Sequence, residues 1–404
     1  MARFTLPRDI YHGKDALATL KTLTGKRAII CVGGSSMARG GFLQRAEDYL
    51  KEAGMEVKVF SGIESDPSVE TVMKGAAVMQ EFQPDWIVAM GGGSPIDAAK
   101  AMWIKYEHPE CSFEDMCKVF GLPKLRTKAR FVAISSTSGT ATEVTAFSII
   151  TDYAKGIKFP IADFEITPDI AIVDPELTLT MPQKLCAHTG MDALTHDLEA
   201  IVAVAHSPYS DALAIHSMKM IRDSLVKSFG GDAAARAVMH DAQCLAGMSF
   251  SNALLGIVHS LAHKTGAAFA GGHIIHGAAN AMYLPKVIKF NAAVPFAAAR
   301  YALCAGELAL AGAESSQEAK IAALIAWVRK LNDELNIPHC IRDYAANGLP
   351  GEGMVTAAEF ESKAAQIAEN AMGDACTGCN PRQMDAKLME RVLRCCWDDS
   401  EVDF

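Results

Sequence analysis

"WIVAMGGGSPIDAAKAMW", residues 86–103, runs from an apolar, β-branched stretch into three glycines and then into a helix-forming stretch. A strand that ends on Gly91, Gly92 and Gly93 and turns straight into a helix is the local mark of parallel strands joined by helices. Glycine lets backbone approach a ligand closely, and the first turn of the next helix offers unpaired N–H groups at the positive end of its dipole. The stretch therefore predicts a phosphate site, with Ser94 as N-cap, Pro95 as the first helical residue and Asp97 two positions on. It matches neither G-x-G-x-x-G nor a P-loop, since no G-K-[ST] follows.

Outward from it, "RAIICV" (27–32), "MEVKVF" (55–60), "ARFVAI" (129–134) and "DIAIVD" (169–174) read as further strands. "ARGGFLQRAEDYLKEAG" and "SVETVMKGAAVMQEF" carry apolar residues at helical spacing between them. After "TMPQ" the chain becomes Ala-, Leu- and Met-rich at helical spacing, with almost no strand-like run. The expected fold is an α/β, Rossmann-like nucleotide-binding domain over 1–182 and an all-α domain over 183–404, the latter interrupted by a loop-rich "NIPHCIRDYAANGLPGEGM".

Two more loops follow strands. In "CVGGSSMARGG", Gly33, Gly34, Ser35 and Ser36 stand where a dinucleotide site selective for an unphosphorylated ribose places an acid, with Arg39 beyond. Space, hydroxyls and a cation suit a 2′-phosphate, which favours NADP(H) over NAD(H). "SSTSGTATEV" (135–144) offers hydroxyls to the same ligand or forms a solvated turn.

A net charge of −9 without a Lys/Arg block argues against nucleic acid or an anionic membrane as partner. "MARFTLPRDIYHGKDALATL" lacks a signal-peptide core, no run is long enough to span a bilayer, and 11 scattered cysteines suit reduced thiols, so a cytoplasmic protein is expected. Cys376 and Cys379 form a lone C-x-x-C to which the pattern assigns no function.

The helical half carries an unusual set of buried-looking polar residues. In "HTGMDALTHDLEA" (188–200), Asp192 and His196 stand four apart on one helix face, with His188 one turn earlier. "VHSLAHKTG" places His259 and His263 four apart, and "GGHIIHGAANA" supplies His273 and His276. Such pairs and a carboxylate can converge on one divalent ion, and imidazole with carboxylate suits Fe(II) or Zn(II).

With these motifs in order, and with "STSGTATEVTAFSIITDY", "TPDIAIVDPELTLTMP" and "GDACTGCNPR" among them, nearly the whole chain resembles the iron-containing alcohol dehydrogenase family, in its butanol dehydrogenase-like form. The resemblance implies hydride transfer between NADP(H) or NAD(H) and a small primary alcohol or aldehyde such as butanol or butanal, at a cleft between the domains. It also implies four metal ligands, Asp192, His196, His259 and His276. His263 falls close to the nicotinamide; Gly93, Ser94 and Asp97 near the pyrophosphate; Thr137 and Thr140 on the cofactor; and Lys158 near a ribose. A homodimer is expected. The interval from His259 to His276 is longer than the family pattern, with "AGG" before His273 as the insertion, which leaves His273 as an alternative ligand. Asp197 stands where a small apolar residue is usual. The adjacent His196 and Asp197 also suit an HD-type phosphohydrolase, and related folds act on glycerol or diols.

Overall fold

A computed structural model describes residues 3–155, 157–266, 268, 269, 273–344 and 354–404. It divides into two compact units, Met1–Met181 with Arg236–Ser251, and Pro182–Ala235 with Asn252–Phe404.

The first unit is built on β1 (Asp9–His12), β2 (Arg27–Val32), β3 (Glu56–Phe60), β4 (Trp86–Gly91), β5 (Arg130–Ser135), a hairpin of β6 (Phe147–Asp152) and β7 (Ile157–Ala162), and β8 (Ile170–Val173). Six strands form one sheet in the order β1-β8-β5-β4-β2-β3, and every pairing in it is parallel. Side chains alternate between two cores, as the two-residue strand period requires. Ile29, Cys31, Ile87, Ala89, Phe131 and Ala133 face one core, and Ala28, Ile30, Val32, Val88, Met90, Val132 and Ile134 face the other. A strand buried on both faces reads as an unbroken apolar run, which is why β2, β4, β5 and β8 were legible. β1 is short with an exposed half, and β6 and β7 carry Thr, Asp, Lys and Pro160, so their sequences do not announce strands.

Helices α1 (Ser36–Arg39), α2 (Phe42–Glu52), α3 (Val69–Phe82), α4 (Gly93–Glu107) and α5 (Phe113–Met116) belong to this unit. Phe42, Ala46 and Leu50 of α2 join one core, and Val72, Met79, Ile96 and Met102 of α3 and α4 join the other. The chain leaves β2 for its neighbour β3 and then crosses to β4 on the other side of β2. Between β2 and β4 lies the switch point where open parallel sheets bind ligands at their C-terminal ends.

The helical unit contains α6 (Gln183–Ala200) and α7 (Pro208–Phe229), then, after α8 (Ala233–Ala253), α9 (Ile257–Thr265), α10 (His276–Asn291), α11 (Pro295–Glu307), α12 (Gln317–Glu334), α13 (Ala357–Met372) and α14 (Ala386–Asp398). The Arg236–Ser251 part of α8 clusters with the sheet unit. There Arg236 donates to the Thr178 and Leu179 carbonyls, Gln243 to Glu143, and Ser251 accepts from the Ala146 N–H. In the helical unit α6 packs on both α7 and α10, and Gly190 and Gly277 permit this, since a Cβ would meet Leu225 at the first and the His188 carbonyl at the second. Among the described residues no single helix is long and apolar enough to cross a membrane.

Candidate functional site

In the sheet unit, the loops after β2, β4 and β5 carry the glycine and threonine residues singled out above. Gly91 has φ +143°, a conformation that favours glycine, and a Cβ there would lie 2.6 Å from Pro95. Helix α4 begins at Gly93 rather than after a Ser94 cap; its N-cap is Gly92, and no side chain caps it. The expected Ser94 cap is thus corrected, because extended Gly92 turns the chain two residues earlier and leaves the first N–H groups for another acceptor. Gly92 and Gly93 lie against Thr137 and Thr140, with Cβ positions 3.2 and 3.1 Å from the threonine methyls. The hydroxyls of Thr137 and Thr140 are buried without a hydrogen-bond partner. Orphaned hydroxyls beside an uncapped helix start fit the phosphates of a dinucleotide. Gly33 is half-buried, while Gly34, Ser35 and Ser36 are exposed where β2 ends and α1 begins.

Asp97 and Lys158 are engaged by protein groups. Asp97 accepts from the Thr142 hydroxyl at 2.6 Å and the Ile149 N–H at 3.2 Å, tying α4 to the hairpin. Burial raises its pKa to about 6 against the opposing pull of Lys100 and these bonds. Lys158 pairs with Asp66 at 2.7 Å.

In the helical unit, one oxygen is the focus. Asp192 Oδ1 lies 3.5 Å from His259 Nε2, 3.5 Å from His276 Nε2 and 3.8 Å from His196 Nε2. Asp192, His196 and His259 are all nearly inaccessible, whereas the His276 side chain keeps 33% of its exposure, so the group has one open side. The ring of His196 stacks on that of His259 at 4.6 Å. Burial alone would raise the Asp192 pKa, but the surrounding imidazoles of His196, His259 and His276 hold it well below the usual carboxylate range. Asp192, His259 and His276 bring ligand atoms within 4.8 Å of one another, with His196 outside that set but 3.8 Å from the same oxygen, and one ionised oxygen with these imidazole nitrogens fits a divalent cation of the Fe(II) or Zn(II) kind.

His276 rather than His273 belongs to this group: His276 opens α10, while His273 is exposed before it. The inserted "AGG" lies outside the described residues. His188 is buried near the ring of Tyr344 and outside the donor set, and burial lowers its pKa to about 4. Asp197 accepts from Ser217 of α7 at 2.6 Å, whereas His196 turns its Nε2 to within 3.8 Å of Asp192 Oδ1, so the two adjacent residues do not form the paired ligands of a phosphohydrolase. His263 stacks its ring on His276 at 5.2 Å.

An iron-containing alcohol dehydrogenase family model matches residues 7–175, and the family's C-terminal model matches 186–397. The chain belongs to the iron-containing alcohol dehydrogenase family. It is 57% identical over 404 residues to a NADPH-dependent butanol dehydrogenase of Clostridium saccharobutylicum, with all of both chains covered. Among solved structures, an iron-containing alcohol dehydrogenase of Thermococcus thioreducens is 35% identical with a TM-score of 0.86, covering 98% of this chain and 100% of the other. A 1,3-propanediol oxidoreductase is 30% identical with a TM-score of 0.87, over the same shares.

Three residues of this alcohol dehydrogenase site escape the sequence analysis. Glu199 Oε2 lies 2.5 Å from His259 Nδ1, and its Oε1 accepts the Val258 N–H at 2.7 Å. It caps α9 from a neighbouring helix and turns the Nε2 of His259 toward Asp192. Asn280 Nδ2 donates to Asp192 Oδ1 at 2.7 Å and sits 3.2 and 3.3 Å from the Nε2 atoms of His259 and His276. Both had a local signal, since Glu199 follows Asp192 by seven positions and Asn280 follows His276 by four, each on a shared helix face. Asp374, 3.1 Å from His263 Nδ1, had none.

Proposed function

We propose that the chain is an iron-dependent alcohol dehydrogenase and aldehyde reductase that uses NADP(H) in preference to NAD(H) on short primary alcohols and aldehydes, butanol and butanal among them. The observation that carries this reading is the convergence of three imidazoles on Asp192 Oδ1. Asp192, His196, His259 and His276 would hold the ion, and a bound cation supplies Lewis acidity toward an alcohol or carbonyl oxygen. Glu199 keeps His259 in the tautomer whose lone pair is at Nε2, and Asn280 holds the carboxylate in place. The Gly91–Gly93 turn, Thr137 and Thr140 receive the cofactor phosphates; the Gly33–Ser36 loop, free of acids, leaves room for a 2′-phosphate. The NADPH dependence of the Clostridium relative supports that choice. Eleven free cysteines suit a reducing, cytoplasmic setting.

The test is loss of absorbance at 340 nm with butanal, using anaerobically prepared protein loaded with Fe(II) or Zn(II). Faster oxidation of NADPH than of NADH, abolished by a chelator and restored by Fe(II), is expected. No turnover of any aldehyde, or of 1,3-propanediol in the reverse direction, sinks the reading.

A further inference from the structure

The segment "GDACTGCNPR" (373–382) enters the site described so far only through Asp374, yet it runs along α9 in register. Asp374 meets His263, Thr377 meets Ser260, and Asn380 meets Ile257, so positions three apart on one strand of chain face positions three apart on the helix. The contacts are Asp374 Oδ2 to His263 Nδ1 at 3.1 Å, Thr377 Oγ1 to Ser260 Oγ at 2.8 Å, and Asn380 Oδ1 to the Ile257 N–H at 3.5 Å. Asn380 also exchanges two hydrogen bonds with Asn291, the last residue of the helix that His276 begins. The segment thus touches both ends of the helix that carries His259 and His263.

We propose that residues 374–380 form a clamp that sets the axial position of α9, and that Asp374 is the positioning residue that fixes the tautomer of His263. Asp374 is held at Oδ1 by its own loop, through the Cys376 N–H at 3.1 Å, while Lys264 meets Oδ2, the oxygen that faces His263, at 3.0 Å. Burial opposes ionisation, but the hydrogen bond from His263, the Lys264 ammonium and the Cys376 N–H hold the Asp374 carboxyl below its ordinary range. An ionised carboxylate only accepts hydrogen bonds, so His263 Nδ1 carries the hydrogen and its lone pair is at Nε2, across the ring. Lys264, already on the carboxylate, disfavours a second cation among His263, Asp374 and Cys376. The clamp deepens the dehydrogenase reading, which gives His263 its place near the nicotinamide.

The experiment uses the full chain loaded with Zn(II), with histidine labelled by ¹⁵N and the His263 signals assigned from His263→Ala. The Nδ1–H tautomer is expected in the unmodified chain, and Asp374→Asn, whose amide can donate to Nδ1, shifts it toward Nε2–H. Turnover of the iron form falls about 10- to 100-fold in Asp374→Asn, and by less than about twofold when the same change is made in His263→Ala, with metal content unchanged throughout. An Nε2–H tautomer in the unmodified chain overturns the proposal whether or not the variant folds. So does an equal loss of turnover in both backgrounds, which would make Asp374 a general support. Absence of alcohol turnover in the unmodified chain would fault the dehydrogenase reading and leave the tautomer result standing.

Discussion

Each unit buries a cluster of ionisable side chains, and the two clusters differ in whether the charges are answered from within. In the sheet unit, Lys100 is fully buried, but its ammonium meets the Thr145 and Phe147 carbonyls, both at 2.8 Å, and the hydroxyls of Thr142 and Thr145 within 3.3 Å. Asp97 and Glu143 lie close enough to offset its charge. In the helical unit Asp192 is equally buried, and what surrounds it is three nitrogens able to offer lone pairs and one amide. The first cluster contains its own cation, whereas the second gathers acceptors around one oxygen, and the function proposed above gives it a cation from outside. Burial of polar residues is common to a structural network and a metal site; the direction of their lone pairs separates them.

The strongest way to break this contrast is to truncate one member of each cluster. Asp192→Ala is expected to lose bound iron and at least about 10³-fold in turnover, more than the loss of a single electrostatic donor costs. Elemental analysis and the aldehyde assay would check it. Lys100→Met should retain iron at unchanged stoichiometry and lower the stability of the sheet unit by about 3 kcal/mol, the cost of leaving a buried partner unpaired. Iron loss in the lysine variant would erase the distinction.

Acid should act on both units, since burial holds His188 neutral in the helical unit and His240 neutral in the sheet unit. His240 is fully buried in the sheet unit, with Nδ1 3.3 Å from Ser138 Oγ, and burial lowers its pKa to about 4. The unfolded chain takes up this proton near pH 6.5 and the folded chain does not, so stability is complete above that pH and is lost as pH falls toward 4. The full loss is about 3 kcal/mol for a shift of this size. His240→Gln should flatten that slope in thermal melts taken between pH 4.5 and 7, and an unchanged slope would assign the acid sensitivity elsewhere.

A smaller effect sharpens the comparison inside the helical unit. Glu199→Gln leaves volume and the cap of α9 largely in place but no longer enforces the Nδ1–H tautomer of His259. Affinity for the ion should weaken about 10- to 100-fold in competition with a chelator. Unaltered affinity would reduce Glu199 to a helix cap.

The candidate site was legible to different depths. Helical spacing marked Asp192, His196, His259, His263 and His276 as candidates among apolar neighbours and a polar loop after a buried strand offered hydroxyls, while the family resemblance selected the four expected ligands and pointed to Thr137 and Thr140. The Ser94 cap was misplaced because a glycine turn needs no capping side chain, so the helix start is decided by backbone conformation. Asp197 looked like a second acidic ligand beside His196, but consecutive helix positions do not face one another, and its carboxylate belongs to Ser217 on α7.

By itself the amino-acid order determined the alternation of buried parallel strands with helices, the glycine turn after β4, and which side chains have the chemistry to hold a cation. Those follow from short-range periods and from the nature of each residue. Only the tertiary structure decided that His276 rather than His273 joins Asp192, that Glu199 orients His259 across 60 positions, and that Asp374 reaches His263 across 111. Such contacts arise where separate helices pack, and no local spacing encodes them because the hydrogen bond forms only once both backbones are in place.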